Sequence, residues 1–218
     1  MKYQLVAFDC DGVLVDTERI VNRVFADLVA HTGPRLDLEA SLARFTGVSM
    51  PDRIAAVRDE YGWSPPPTFD GDFDELQREA FQKELHPIPG AEAAVRRVRA
   101  TRAVVSNGSR AEMTLKLSTV GLLDAFAPNL FSAHEVAHSK PAPDVYLKAI
   151  ATLGAAAATA IAVEDSVPGA RAAVAAGLMV FGYAGTSTGE ALAGVGARVF
   201  HDMAELPELL RRAGVDVA

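Results

Sequence analysis

Two rhythms of polar and apolar positions run along this chain. Short apolar runs recur at residues 5–8, 103–105, 129–131, 160–163, 179–181 and 198–200. Between most of them lie amphipathic or Ala-rich segments of helical period, at 91–99, 111–120, 144–153, 169–176 and 204–213. Continuous apolar strands alternating with helices predict a parallel sheet covered on both faces and joined by right-handed crossovers. One interval breaks the rhythm: from 17 to 86 there is no clear strand, only helical patterns at 19–31, 38–45, 51–61 and 72–85. The expected architecture is therefore α/β, with an all-helical cap inserted after the first strand. The core takes residues 1–16 and 87–218, and the cap takes 17–86. Asp16-Thr17 forms the entry and the rigid His86-Pro87-Ile88-Pro89-Gly90 the exit. Ser64-Pro65-Pro66-Pro67 reads as a stiff connector between cap helices.

Composition narrows the partners. With 218 residues and 50% hydrophobic content the chain can bury a substantial core plus a smaller inserted unit. Its 21 basic and 28 acidic residues leave a net charge of -7, which argues against a nucleic-acid surface and requires local positive groups for any anionic substrate. The single cysteine, Cys10, excludes an internal disulfide and a cysteine-built zinc site, and it fits a reducing compartment. No secretory signal or membrane-length apolar stretch is found, so the expectation is a soluble cytoplasmic protein with no obligatory protein partner.

The chemistry is concentrated at strand ends. In a doubly wound, Rossmann-like sheet, ligands sit at the carboxyl ends of the strands. The first predicted strand leads into Asp9-Cys10-Asp11-Gly12, whose aspartates strand alternation would turn to one side and whose cysteine it would turn to the other, into the core. The second leads into Ser106-Asn107-Gly108, the segment after the third carries Lys140 before Pro141, and the fourth leads into Glu164-Asp165-Ser166. Taken singly, these are an ordinary turn, a loop lysine and a helix cap. Taken together, in one order along one sheet, they suit a phosphate monoester. Asp9 can attack phosphorus, and Asp11 can protonate the leaving alcohol. Ser106 and the backbone freed by Gly108 can bind phosphate oxygens, and Lys140 can offset their charge. Two like charges at about 4 Å and an effective dielectric near 20 repel by roughly 4 kcal/mol, so the converging carboxylates call for a divalent cation. An all-oxygen donor set suits magnesium.

Asp9-Cys10-Asp11-Gly12-Val13-Leu14-Val15-Asp16-Thr17, Ser106-Asn107-Gly108, Ser139-Lys140-Pro141 and Glu164-Asp165-Ser166 with Gly169 resemble the four motifs of the haloacid dehalogenase-like hydrolase superfamily. The helical insertion looks like the cap of the branch that contains phosphoglycolate phosphatases, β-phosphoglucomutases and sugar-phosphate phosphatases. The resemblance implies Asp9 as nucleophile, Asp11 as general acid/base, and Ser106 and Lys140 as phosphate ligands. It also implies magnesium held by Asp9, the Asp11 carbonyl and Asp165, with Glu164 as a fourth contributor, and a cap hinge at Asp16 and Thr17.

Asp11 argues against a dehalogenase, which needs no acid for a halide. The β-phosphoglucomutase pattern carries a cap histidine where this chain has Val21 and Asn22, and an arginine soon after a Gly-Val-Ser turn, where Gly47-Val48-Ser49 is followed by Met50 and then Arg53. The expected activity is magnesium-dependent hydrolysis of a small phosphomonoester, such as a sugar phosphate, through an aspartyl-phosphate. A phosphosugar mutase and a non-catalytic phosphate-binding or phosphorylation-switch protein are the alternatives. The opening motif with Glu18, and the closing Leu206-Pro207-Glu208-Leu209-Leu210, look similar to bacterial sugar-phosphate and phosphogluconate phosphatases. Candidate substrate contacts, besides Ser106, Asn107, Gly108 and Lys140, are Gly47, Ser49 and Arg53. Arg23, Arg44 and Lys83 are further candidates, and each of these cap residues taken singly reads first as a solvated helix-face charge or turn residue.

Overall fold

The computed structural model describes residues 2–185 and 187–218. The chain divides into two compact units, 1–16 with 86–218 and 17–85. In chain order the elements are β1 (Leu5–Phe8), β2 (Val15–Asp16), α1 (Glu18–Thr32), α2 (Leu38–Phe45), α3 (Met50–Tyr61), α4 (Phe69–Glu84), β3 (His86–Pro87), α5 (Ala91–Arg97) and β4 (Thr101–Ser106). They continue with α6 (Arg110–Thr119), α7 (Leu123–Phe126), β5 (Leu130–Ser132), α8 (Asp144–Thr152), β6 (Ala160–Glu164), α9 (Val167–Ala175), β7 (Met179–Tyr183), α10 (Gly189–Gly194), β8 (Arg198–Phe200) and α11 (Leu206–Ala213). No helix among the described residues is long and apolar enough to cross a membrane.

The α/β unit is built on a six-stranded sheet of order β5-β4-β1-β6-β7-β8, and every pairing within it is parallel. Every apolar run of the sequence falls on one of its strands, the run at 129–131 beginning one residue ahead of β5. Helices cover both faces. Leu5 and Ala7 of β1 pack in one cluster with Val145, Tyr146 and Ala149 of α8 and with Ala170, Ala172 and Ala173 of α9. Phe8, on the alternate face, meets Phe126 of α7 edge-on at 5.6 Å. Alanines on α9 let its backbone approach the sheet closely, which is why a helix so poor in large side chains still buries one face.

Strand order reverses at β1, the point at which an open parallel sheet leaves a crevice. Register aligns the rims of that crevice: Phe8 pairs with both Val104 and Val163, so Asp9 stands level with the end of β6. The backbone N–H of Asp9 extends the ladder by donating to the Val163 carbonyl at 2.9 Å.

The short ribbon β2–β3 escapes hydrophobic patterning. Asp16 pairs with His86 and Val15 with Pro87, so the chain leaves the α/β unit and returns to it at one place. A two-residue strand has no period to read, and Pro87 cannot donate to a ladder. α7 and α10 were likewise outside the sequence pattern, since four and six residues complete hardly more than a turn of apolar stripe.

The helical unit has its own core. Phe25 of α1 meets Phe45 of α2 and Phe69 of α4 edge-on, and Phe69 also meets Trp63 and Phe73. The Trp63 indole donates to Thr32 Oγ1 at 3.1 Å, and a Cβ on Gly33 would fall 2.3 Å from its ring. Ser64 to Pro67 connects α3 to α4.

Candidate active site

The site is assembled from four loops at the carboxyl ends of β1, β4 and β6 and ahead of α8. Asp9 follows β1 directly. The strand ends at Phe8, and the chain turns back through Gly12, whose N–H donates to the Val15 carbonyl at 2.9 Å. Gly12 adopts φ +76°, and a Cβ there would lie 2.0 Å from Asp165 Oδ2. Glycine is needed twice over: for the left-handed turn and for the approach of a carboxylate. A second close approach occurs at Gly169 in the first turn of α9, where a Cβ would meet Glu164 Oε2 at 2.0 Å. Glu164 can therefore lie against a helix start, while Ser166 caps that helix by accepting from the Gly169 N–H at 3.1 Å.

Lys140 ties the strand ends together. Its ammonium donates to Asp9 Oδ1 at 2.6 Å, to Glu164 Oε1 at 2.6 Å and to the Val105 carbonyl at 2.8 Å. It is 7% exposed, Glu164 is 0% exposed and Asp9 is 9% exposed, so this triad is withdrawn from bulk water. Burial disfavours the Lys140 charge, but Asp9 and Glu164 outweigh that penalty and hold its pKa above the ordinary lysine value. The Asp9 carboxyl moves the other way. Burial raises its pKa from 3.8 to about 7, with Glu164 and Asp11 adding to the rise and Lys140 opposing it.

The remaining parts position rather than neutralise. Asn107 Oδ1 accepts from the Lys140 backbone N–H at 3.0 Å, which fixes the lysine loop to the turn after β4. Ser106 is buried, and its hydroxyl accepts from the Gly108 N–H at 3.0 Å. The Gly108 carbonyl in turn accepts from the Ser132 hydroxyl at 2.7 Å. Ser109 starts α6 with a reciprocal capping box to Glu112, so the turn runs into a well-anchored helix.

Two partners of these carboxylates were not read from the sequence. Lys116, on α6, donates to Asp11 Oδ1 at 2.8 Å and is 6% exposed. Its signal was present: it shares the buried stripe of α6 with Met113 and Leu117, where helical period calls for an apolar residue. Burial opposes its charge, but the groups around it, Asp11 foremost, together more than compensate and its pKa is raised. Tyr146 donates to Glu164 Oε1 at 2.5 Å. It lies among core residues of α8, and no pattern separates it from an ordinary buried aromatic. Because β1 stops at Phe8, the two aspartates are governed by the turn rather than by strand alternation, and each has its own lysine. Cys10 between them is fully buried, and burial followed by the Asp11 charge pushes its thiol pKa well up, as suits a packing residue.

Gly47, Ser49 and Arg53 come together in the helical unit. Arg53 is 3% exposed, and its guanidinium donates to the Val48 carbonyl at 2.8 Å, Asn22 Oδ1 at 3.2 Å and Glu18 Oε2 at 3.4 Å. Gly47, at φ +72°, donates its N–H to Glu18 Oε1 at 3.0 Å, and Ser49 caps α3. The cluster braces the turn before α3. Arg23, Arg44 and Lys83 pair with Glu84, Glu60 and Glu79 respectively.

The donor set fits a hard divalent cation. Asp9, Glu164 and Asp165 are buried, and each offers a carboxylate oxygen within 4.8 Å of the others. Their hard oxygens match magnesium, and burial, with the Glu164 and Asp11 charges adding to it, raises the Asp9 pKa against the opposition of Lys140.

Residues 3–177 match the family model of the haloacid dehalogenase-like hydrolases. The chain is 30% identical over 220 residues to the 6-phosphogluconate phosphatase of Escherichia coli K12, covering 99% of this chain and 98% of that protein. It is 30% identical over 174 residues to hexitol phosphatase B of the same organism, with 78% of each covered. Among solved structures, a haloacid dehalogenase family hydrolase of Deinococcus radiodurans R1, crystallised with bound phosphate and sodium, superposes with a TM-score of 0.83. That protein is 32% identical, and the match covers 100% of this chain and 99% of that one.

Proposed function

The chain belongs to the haloacid dehalogenase-like hydrolase family, and from that premise we propose that it is a magnesium-dependent phosphomonoesterase acting on a small phosphorylated metabolite of the sugar-phosphate kind. The observation that carries the proposal is the division of labour between two aspartates two residues apart, one bound to Lys140 in a buried carboxylate cluster and the other bound to Lys116. The phosphatase names of the relatives that match across most of the chain support the same reaction class.

A carboxylate oxygen of Asp9 attacks phosphorus, and the bond from phosphorus to the ester oxygen breaks. Asp11 gives its proton to the departing alkoxide, so the alcohol leaves neutral. Asp11, now a carboxylate, takes a proton from water as that water attacks the aspartyl-phosphate. Inorganic phosphate departs and Asp9 is restored. Lys140 orients Asp9 and offsets charge on the transferring group, while Ser106 and the backbone N–H groups around Asn107 and Gly108 receive its oxygens. Magnesium would be held by Asp9, Asp165 and the Asp11 carbonyl, with Glu164 contributing. When bound, it neutralises the converging carboxylates and polarises the phosphoryl oxygens. In the helical unit, we assign substrate contacts to the turn of Gly47 and Ser49, with Arg53 shaping that turn from its buried position. Sugar-phosphate selectivity rests on the relatives' named substrates and remains this reading's finest claim.

The test is phosphate release by purified protein with magnesium across sugar phosphates, phosphorylated sugar acids, hexitol phosphates, phosphoglycolate and nucleotides. Turnover of at least one sugar or polyol phosphate, lost on chelation and restored by magnesium, is expected. Absence of release across the whole panel would refute the proposal. An arm with β-glucose 1-phosphate and a bisphosphate activator detects a mutase by isomer formation.

A further inference from the structure

We propose that Lys116 is a positioning residue that acts through Asp11, fixing the acid/base carboxyl group at the leaving-group oxygen by a hydrogen bond donated from the buried side. The inference rests on the reading of Asp11 as the general acid given above.

The turn carrying Asp11 has a fixed backbone. The Leu14 and Val15 N–H groups both donate to the Cys10 carbonyl, at 2.9 and 3.1 Å, and the Gly12 N–H donates to Val15. The Asp11 side chain is freer: 36% of it is solvent-exposed, against 12% for Asp9. A half-exposed aspartate exchanges between rotamers unless something holds it, and a proton donor must come within about 2.6–3.2 Å of the atom it serves. Lys116 supplies the hold. Its side chain is 7% exposed and donates to Oδ1 at 2.8 Å.

The lysine itself has a rigid root. α6 is fastened at its start by the capping box of Ser109 and Glu112, and Met113 and Leu117 beside Lys116 are buried against the α/β core. An ammonium placed there can move little without moving the helix. The Lys116 ammonium is committed to Asp11, while Lys140 is the cation beside Asp9. A lysine in the apolar stripe of a helix is costly unless its charge has a partner, and this one is directed at the carboxylate that must be oriented for catalysis.

Leaving-group dependence separates positioning of an acid from support of the fold. The measured quantity is kcat/KM, which covers steps through transfer to Asp9, for a sugar phosphate turned over by the wild type and for p-nitrophenyl phosphate, whose phenolate leaves without protonation. Lys116→Met is expected to lower kcat/KM for the sugar phosphate about tenfold more than for p-nitrophenyl phosphate, a part of the about 10²–10⁴-fold that a general acid contributes. Lys116→Arg should recover most of the difference, because it keeps a cation within reach of Asp11. In an Asp11→Asn background, Lys116→Met should leave the ratio between the two substrates unchanged within about twofold, as expected for a residue that works through its partner. Equal losses on both substrates in Lys116→Met would overturn the inference, as would a ratio shift that persists in the Asp11→Asn background. Should Lys116→Met fail to fold, the comparison of Lys116→Gln with Lys116→Arg reads the same ratio. Failure of the underlying reading looks different: a wild type that releases no phosphate, or an Asp11→Asn protein with an unchanged ratio, would remove the acid and the inference with it.

Discussion

Charged side chains are drawn inward in the α/β unit, where Asp9, Lys116, Lys140, Glu164 and Asp165 are all buried, whereas several cations of the helical unit pair with glutamates at its surface. Arg19 with Glu39, Arg23 with Glu84 and Lys83 with Glu79 are solvent-exposed pairs of the kind that contribute at most about 1 kcal/mol each. Arg53 is the helical unit's counterexample. It is as buried as Lys116 and Lys140, but its hydrogen bonds stay within the helical unit, to the turn before α3 and to α1. The difference teaches what burial of charge accomplishes in each place. In the α/β unit, burial, with Glu164 and Asp11 adding to it and Lys140 opposing it, raises the Asp9 pKa to about 7, in a carboxylate cluster whose oxygens could hold a cation. In the helical unit, one buried cation satisfies two carbonyl or amide oxygens and a carboxylate, and a local turn is made rigid.

Substitution at Lys140 tests the contrast most severely. Lys140→Met is expected to lower kcat by about 10²–10³-fold or more, since it removes a preorganised positive group from the transferring phosphoryl. It should also cost roughly 3–5 kcal/mol in metal-free urea unfolding, because Asp9 and Glu164 lose their shared cation. Activity within tenfold of the wild type would break the comparison. Next in size is the pH dependence of metal-free stability. Asp9 holds its proton more tightly folded than unfolded, so the native state binds more protons between the unfolded value of 3.8 and the folded value of about 7. In chelator, the stability of the wild type relative to Asp9→Asn should therefore fall as pH rises through that window, and magnesium should diminish the fall. Thermal midpoints of both proteins from pH 4 to 8 read this directly, and a rise in their place would reverse the sign assigned to Asp9. Arg53→Met should cost about 2–3 kcal/mol by leaving Glu18, Asn22 and Val48 without their donor. The smallest effects are expected of Arg23→Ala and Lys83→Ala, each below about 1 kcal/mol in the same unfolding assay. An Arg53→Met protein as stable as those two would show that its burial carries no structural weight.

Much of this was legible before any fold was known, because parallel strands buried on both faces must be apolar throughout. Residues 5–8 and 160–163 could hardly be anything else, and the polar residues that follow them had to lie at one edge of the sheet. Asp9, Asp11, Ser106, Lys140, Glu164 and Asp165 were found by that logic alone. Lys116 was not, although a lysine at i+3 from Met113 and beside Leu117 is a visible violation of the apolar stripe of α6. Its partner was the hidden part: 105 residues separate it from Asp11. Tyr146 gave no signal, because a tyrosine that packs and a tyrosine that donates to a buried carboxylate look alike in a helix.

The sequence by itself determined the six strands of the sheet, the longer helices, the interruption between them and the residue types at each strand end, since hydrophobic period and turn chemistry are local properties. Only the tertiary structure decided which charges meet. Register set Asp9 level with the end of β6, close packing at Gly12 and Gly169 admitted the carboxylates of Asp165 and Glu164, and the two aspartates acquired separate lysines from α6 and from the loop before α8. Electrostatic energy depends on distance and burial, and neither is a property of position along the chain.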